Sequence, residues 1–425
     1  MNPKTSKTWN RLDNAAKIFP PTSTRRDPKV FRFSCRLTEE VDPDLLQKAL
    51  DGAIREFPGF CCILKRGAFW YYLEESPLRP KVREETEPPC STLYKNSKKL
   101  LFQVMYFRQH IVLEVYHALT DGTGAIQFLK EVVCRYLALR HPDTLGGNPP
   151  VSDYDASFTQ KMNDSFDQYY NKKNKQRNPG DPPAFQLRGL KTPEGILTVI
   201  EGLCSSREVL SAAKACGVTA TVLLTSVLLR AIGLDMRVAD RKKPVVLTIP
   251  VNLRNYFDSQ SARNFFSLIP AVMEFRDGVP PLDDIFPLVK EQFTSRLTKE
   301  YLQNRLDGLA GLEHNPISRI VPLPIKDLAM KAAYHISERS ATAALSNVGI
   351  IRIPEPLMPY IEFFDVFTST PKLQLCVCSC GDRMTLCFSS AFASPDVPRR
   401  FFRMLTEMGI SMTIITNLSA EEETA

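Results

Sequence analysis

Ile111-Val-Leu-Glu-Val-Tyr116-His117-Ala-Leu-Thr-Asp121-Gly122-Thr-Gly124 decides how the chain is read. Ile111, Leu113 and Val115 alternate with their neighbours, as one face of a strand does. Beyond Gly124, Ile126, Phe128, Leu129, Val132, Val133, Tyr136 and Leu137 recur at helical spacing. The change of period sets a histidine where a strand ends, and an aspartate and a glycine in the turn before a helix. An aspartate in that place can accept the first free N–H groups of the helix. A histidine there holds an imidazole whose ordinary pKa, about 6.5, suits it to take up a proton at neutral pH.

Outward from this stretch the chain divides into two α/β halves. Upstream, Phe31, Phe33, Cys35 and Leu37 alternate as a strand. Asp42-Pro43 then opens a helix with apolar positions Leu45, Leu46, Ala49, Leu50, Ala53, Ile54 and Phe57, stopped by Pro58-Gly59. Strand patterns follow at 62–64, 69–73 and 101–107, with a turn at 108–110, completing a first half over 1–140. Residues 141–192 are polar and bounded by proline- and glycine-rich clusters, which reads as a crossover tether with one short helix. The second half, 193–425, repeats the order of elements without repeating the sequence. It begins with a strand near 196–203, a helix capped by Ser205-x-x-Glu208, and a buried helix through Val222–Leu229. A strand from Val245 to Arg254, one long helix over 282–306 and another over 325–336 come next. Strands at 342–345, 361–367, 373–379 and 384–392, a helix at 397–408 and a strand at 410–415 lead to an acidic tail at Glu421–Glu423.

Composition narrows the function classes. At 425 residues the chain exceeds one ordinary core, so two domains are expected. Apolar residues make up 44% and charged residues 24%, as in soluble globular proteins. No apolar run approaches the roughly 20 residues of a membrane span. The start, Met-Asn-Pro-Lys-Thr-Ser-Lys, lacks the apolar core of a signal peptide, so a cytoplasmic protein is expected. Eleven cysteines contain no C-x-x-C pair, and Cys376, Cys378 and Cys380 alternate as one face of a reduced strand. Five histidines show no pair at metal spacing, so no metal site is expected. The net charge of +7 is dispersed and carries no nucleic-acid-binding signature, so no nucleic-acid partner is expected. It is compatible with an anionic cosubstrate.

His117-x-x-x-Asp121-Gly122 at a strand-to-helix turn resembles the signature of the CoA-dependent acyltransferase superfamily. That superfamily includes chloramphenicol acetyltransferase, alcohol acetyltransferases, plant hydroxycinnamoyl-type transferases and peptide-synthetase condensation domains. Three later elements follow in family order: Thr248-Ile-Pro-Val-Asn-Leu-Arg254, Arg263-Asn264-Phe265-Phe266-Ser267 and Leu345-Ser346-Asn347-Val348-Gly349. The last is similar to the Ser-Asn-x-Gly element of bacterial alcohol acetyltransferase-like proteins. The run from Trp9 to Pro20 is similar to the start of bacterial members of that group. Two departures stand out. Tyr116 occupies the place where many members carry a second histidine, and the plant Asp-Phe-Gly-Trp-Gly motif is missing.

The resemblance implies two chloramphenicol-acetyltransferase-like α/β sandwich domains, each a mixed or mostly antiparallel sheet with helices on one face, and an active-site channel between them. It implies acyl-CoA, most simply acetyl-CoA, as cosubstrate and a small-molecule alcohol or amine as acceptor. His117 would be the general base, Gly122, without a side chain, would suit the tight turn and a close backbone approach to substrate, and Asp121 would pair with Arg254 to hold the catalytic loop. Asn264 would either donate a hydrogen bond near the acyl group or satisfy a loop. Ser346 and Asn347 would either help hold the oxyanion or form a polar turn. No G-x-S-x-G elbow is present, so no serine intermediate is required. The other histidines fall in bland places: His110 in a turn, His141 at the start of the tether, His314 in a loop and His335 at a helix end. Two rival classes remain open. A condensation-type enzyme would take the acyl group from a carrier protein, and a non-catalytic binding protein would keep the scaffold alone.

Overall fold

Strand Val30–Leu37 is buried at every residue but Arg36, which places it in the interior of a sheet covered on both sides. The computed structural model that contains it describes residues 9–94, 98–145, 165–171, 183–313 and 320–418. Through the first half the order is β1 (Trp9–Arg11), β2 (Val30–Leu37), α1 (Pro43–Glu56), β3 (Cys62–Arg66), β4 (Tyr71–Glu75), β5 (Arg83–Glu84), β6 (Phe102–Phe107), β7 (His110–Tyr116) and α2 (Gly122–Arg140). The second half begins with β8 (Thr198–Ser205), α3 (Ser206–Ala215), α4 (Ala220–Asp235), β9 (Val245–Asn252), β10 (Phe266–Met273), α5 (Leu282–Arg296), α6 (Lys299–Glu313) and α7 (Leu323–Glu338). It ends with β11 (Ala343–Ile350), β12 (Ile361–Thr368), β13 (Leu373–Cys380), β14 (Arg383–Ser390), α8 (Asp396–Glu407) and β15 (Met412–Thr416).

Two mixed sheets carry the fold. The five-stranded sheet has the order β12-β2-β7-β6-β5, and the seven-stranded sheet has the order β10-β9-β11-β13-β14-β8-β15. In the first, α1 and α2 pack together over an aromatic cluster in which Phe60 stacks on Phe128 at 4.3 Å. Helix α1 starts as its sequence requires: the Asp42 carboxylate accepts from the N–H groups of Asp44 and Leu45 at 2.9 and 3.0 Å. In the second, α4 packs between α5 and α8 and against β9. It is apolar almost all round because it is surrounded. In a small third sheet, β1-β4-β3, the N-terminal segment pairs with the hairpin of β3 and β4.

Strand β12 crosses from one half to the other. Chain order puts it in the second half, but it pairs antiparallel with β2, Phe364 opposite Cys35 and Asp365 opposite Ser34. Its other face packs on β13 and β14 of the larger sheet. The alternating cysteines find their reason here: Cys376, Cys378 and Cys380 face the core of the first half, while Leu373, Leu375 and Val377 face the core of the second. The strand is therefore buried on both faces, and burial pushes the Cys376 thiol up to about 12.

Several elements differ from their sequence reading. The long helix over 282–306 is two helices, because Thr298 accepts from the N–H of Tyr301 at 3.2 Å and caps a new start. His110 begins β7 rather than lying in the turn before it, and Trp9–Arg11 is an edge strand. Of the tether, a turn of helix at Pro142–Leu145 and a short helix at Ser165–Tyr169 are described. The rest of it between 146 and 182, His314 and the acidic tail lie outside the described residues, apart from 165–171. Among the described residues no single helix is long and apolar enough to cross a membrane, and no group of histidine, cysteine and acidic side chains could hold a metal.

A charged seam runs beneath β12. Arg32 on β2 pairs with both oxygens of Glu85 and stands 3.6 Å from Glu114. Burial, with Asp365 nearby, pushes the Glu201 carboxyl on β8 up to about 8, and Arg32 opposes the rise. A carboxyl raised on folding binds more protons folded than unfolded, so it costs stability as pH rises from its ordinary range through about 8. Glu201→Gln should therefore be more stable than wild type at pH 9 and nearly equal to it at pH 5, measured as urea midpoints at both values.

Candidate active site

Strand β7 delivers Tyr116 and His117 to the edge of the first sheet. The ladder holds one residue past the strand, since the His117 N–H donates to the Lys29 carbonyl at 2.8 Å. The turn then closes with the Leu119 N–H on the Tyr116 carbonyl at 2.9 Å. Asp121 ends the turn and caps α2. Its Oδ1 accepts from the N–H groups of Thr123 and Gly124, both at 3.1 Å.

The other oxygen of Asp121 points into the second half. It accepts from Arg254 Nη1 at 2.8 Å and from the Phe265 N–H at 2.9 Å. Arg254 is fixed in turn by the carbonyls of Ser261 (2.9 Å) and Arg263 and by Asn252 Oδ1 at 3.2 Å. Asn252 Nδ2 donates back to Thr123 Oγ1 at 3.3 Å. Thr120 Oγ1 donates to the Ala262 carbonyl, a second tie between the turn and the same loop. Helix cap and ion pair are thus two uses of one carboxylate.

Steric demand falls on Gly124 rather than Gly122. A Cβ on Gly124 would lie 2.1 Å from Thr120 Oγ1 and 2.2 Å from the Ala262 carbonyl oxygen, so the halves could not close. One on Gly122 would meet only the Phe33 ring at 3.7 Å, an ordinary contact.

His117 is half-buried among rings. Phe19 stacks on the imidazole at 4.5 Å, Phe31 meets it edge-on at 4.9 Å and Phe266 lies at 5.8 Å. Its Nδ1 lies 3.1 Å from Asn264 Oδ1. Asn264 Nδ2 is already spent, donating to the His117 carbonyl and to Asp13 Oδ2, both at 3.1 Å. The amide oxygen must therefore face the ring, which sets the proton on Nδ1 and leaves a lone pair on Nε2. Burial lowers the His117 pKa, and Lys29 lowers it further. Asp121, the residue's own carbonyl and Asn264 work the other way without reversing the shift. A neutral imidazole with a free Nε2 can take a proton from an acidified hydroxyl or amine.

Asn264 thus meets His117 itself, a partner that neither sequence reading considered. Ser346 and Asn347 lie apart from this network on β11, which pairs with β9 only at Ala343 and Ala344. Asn347 donates from Nδ2 to Thr221 Oγ1 at 2.9 Å and accepts the Gly349 N–H at 2.9 Å. Tyr116 is a core residue whose hydroxyl meets Ser23 Oγ at 2.9 Å. Asp13, Phe19, Thr120 and Gly124 were missed as site residues. Asp13 and Phe19 lie in the N-terminal run singled out by resemblance, but nothing in it gave their partners, which are about a hundred residues or more away (Asp13–Asn264 are separated by 251). Behind the turn lies a small cleft of about 30 Å³ lined by Phe57, Phe60, Leu73 and Leu119, with Glu56 and Arg263 beside them.

No protein-family model matches the sequence, and no curated protein matches it either. Solved structures do match its fold. A trichothecene 15-O-acetyltransferase from Fusarium sporotrichioides superposes with a TM-score of 0.64 at 13% identity, over 95% of this chain and 94% of that one. The TRI101 protein of F. graminearum, solved with coenzyme A and T-2 mycotoxin, gives 0.64 at 11% identity, over 95% and 99%. The first condensation domain of the calcium-dependent antibiotic synthetase, solved with a substrate analogue, gives 0.62 at 15% identity, over 94% and 96%. The chain has the two-domain fold that acyltransferases and condensation domains share, expected above from four short motifs.

Removing one partner from a buried pair leaves the other uncompensated, at a cost of roughly 3–5 kcal/mol. Arg254→Met should show a loss of that order in urea unfolding, and the loss should shrink when Asp121→Asn is added. Gly124→Ala should destabilise more than Gly122→Ala in the same assay.

Proposed function

We propose that this chain is an acyltransferase that moves an acyl group, most simply acetyl, from acyl-CoA to the hydroxyl or amine of a small molecule. The observation that carries the reading is the bond between His117 Nδ1 and Asn264 Oδ1, which leaves the lone pair on Nε2. Nε2 takes the acceptor's proton as its oxygen or nitrogen attacks the thioester carbonyl. The tetrahedral intermediate then collapses, the C–S bond breaks, and the imidazolium returns the proton to the departing thiolate. Asp121 and Arg254 hold the turn and perform no chemistry. Ser346, half-buried on β11, is the proposed donor to the oxyanion, since the Asn347 amide is committed to Thr221 and Gly349. Two of the fold neighbours support the reading: an acetyltransferase, and a protein solved with coenzyme A.

A carrier-borne thioester is the second reading, favoured by the condensation domains of the same fold. The same histidine would act on the same bond, and only the group behind the sulfur would differ.

Thiol release from acetyl-CoA across a panel of alcohols and amines tests the proposal. His117→Ala should lower kcat by about 10³-fold, within the range for loss of a general base. Full turnover by that variant would sink the mechanism. The acid limb of the wild-type rate profile should lie below the ordinary histidine range, about 6.5, because burial lowers the His117 pKa.

A further inference from the structure

The N-terminal segment reaches His117 twice: Phe19 covers one face of the ring, and Asp13, just past β1, lies beneath Asn264. Asp13 is fully buried. Its Oδ1 accepts from the Ala16 N–H at 2.7 Å, and its Oδ2 accepts from Asn264 Nδ2 at 3.1 Å and from the Asn264 N–H at 3.3 Å. Arg263 Nε stands 3.7 Å from the same oxygen. Burial pushes the Asp13 carboxyl up, and Arg263 and the hydrogen bonds from Asn264 and Ala16 oppose the rise.

This arrangement constrains Asn264 in a way that matters for proton transfer. An amide can turn over, exchanging oxygen and nitrogen at little steric cost. Turned over, Asn264 would present N–H groups to Nδ1, which would then have to be the lone-pair nitrogen. The proton would move to Nε2, and the base would be lost. The two acceptors beneath Nδ2, the His117 carbonyl and Asp13 Oδ2, oppose this, because oxygens would then face each other in a buried place, and Asp13 is the one that a side chain supplies.

We propose that Asp13 is a positioning residue of the acyl-transfer site: through Asn264 it keeps the His117 proton on Nδ1. The inference rests on His117 being the base. The charged groups facing the imidazole are Asp121, from its own turn, and Lys29, from the stretch before β2. Arg263, from the loop between β9 and β10, faces Asp13.

The test is nitrogen-15 NMR of the full chain labelled at histidine, with His117→Ala assigning the ring signals. Wild type should show a protonated Nδ1 and an unprotonated Nε2. Asp13→Ala should mix the two tautomers and lower kcat about 10²-fold while KM for both substrates stays within about 2-fold. Asp13→Asn keeps the shape but offers donors as well as an acceptor to Asn264, so it should mix the two tautomers as well. If Asp13→Ala does not fold, Asp13→Asn decides the matter alone. An unchanged tautomer in Asp13→Asn overturns the proposal. The ring signals need no substrate, so this failure is distinct from failure of the acyl-transfer reading, which would appear as full activity in His117→Ala.

Discussion

One carboxylate holds the two halves in register. Asp121 uses one oxygen to start α2 and the other to bind Arg254 and the Phe265 N–H, so its four donors come from both sides of the interface. Both partners are nearly dry, at 7% and 10% side-chain exposure, so water cannot stand in for either. A pair in such a place contributes little net stability, since desolvation offsets attraction. What it supplies is position. His117 is four residues upstream on the same turn, and Asn264 is next to Phe265, so a single ion pair sets the distance between the imidazole and the amide that faces it.

The space around His117 balances two opposed effects. Phe19, Phe31 and Phe266 remove water and favour the neutral ring, while Asp121 and Asn264 favour the charged one. Burial prevails, as it must if the ring is to be empty-handed before an acceptor arrives. The aromatic shell does not come from one place in the chain. Phe19 precedes β2, Phe31 lies on it and Phe266 opens β10, so the ring is enclosed only when both halves and the N-terminal segment are assembled.

The parts of this site that could be read from the sequence are those written in local patterns. A period of two giving way to a period near four marked the turn, and an aspartate before a helix declares itself as a cap. Arg254 and Asn264 were reached through motif resemblance, which gave Arg254 its partner in Asp121 but did not give Asn264 its partners in His117 and Asp13. Asp13 was given no role by it: an aspartate in a polar stretch is unremarkable until the chain brings Asn264 onto it. The steric role of Gly124 was hidden for a related reason, because which glycine has no room depends on Ala262 of the opposite half. Fold boundaries behaved alike. Thr298 split a continuous apolar pattern by a local cap, whereas the membership of β12 was written nowhere nearby, since alternation shows that a segment is a strand and not which edge it will join.

That exchanged strand also governs the order in which the protein can be made. The interior strand β2 has β7 on one side, and its other side is filled by residues 361–368. During synthesis the first half is therefore complete in length long before it is complete in hydrogen bonds, with one edge of β2 bare until most of the second half has emerged. Bare edges of apolar strands invite pairing with other chains. The chain is thus two sandwiches in architecture and one unit in assembly, and a cut between its halves would leave each with a wound.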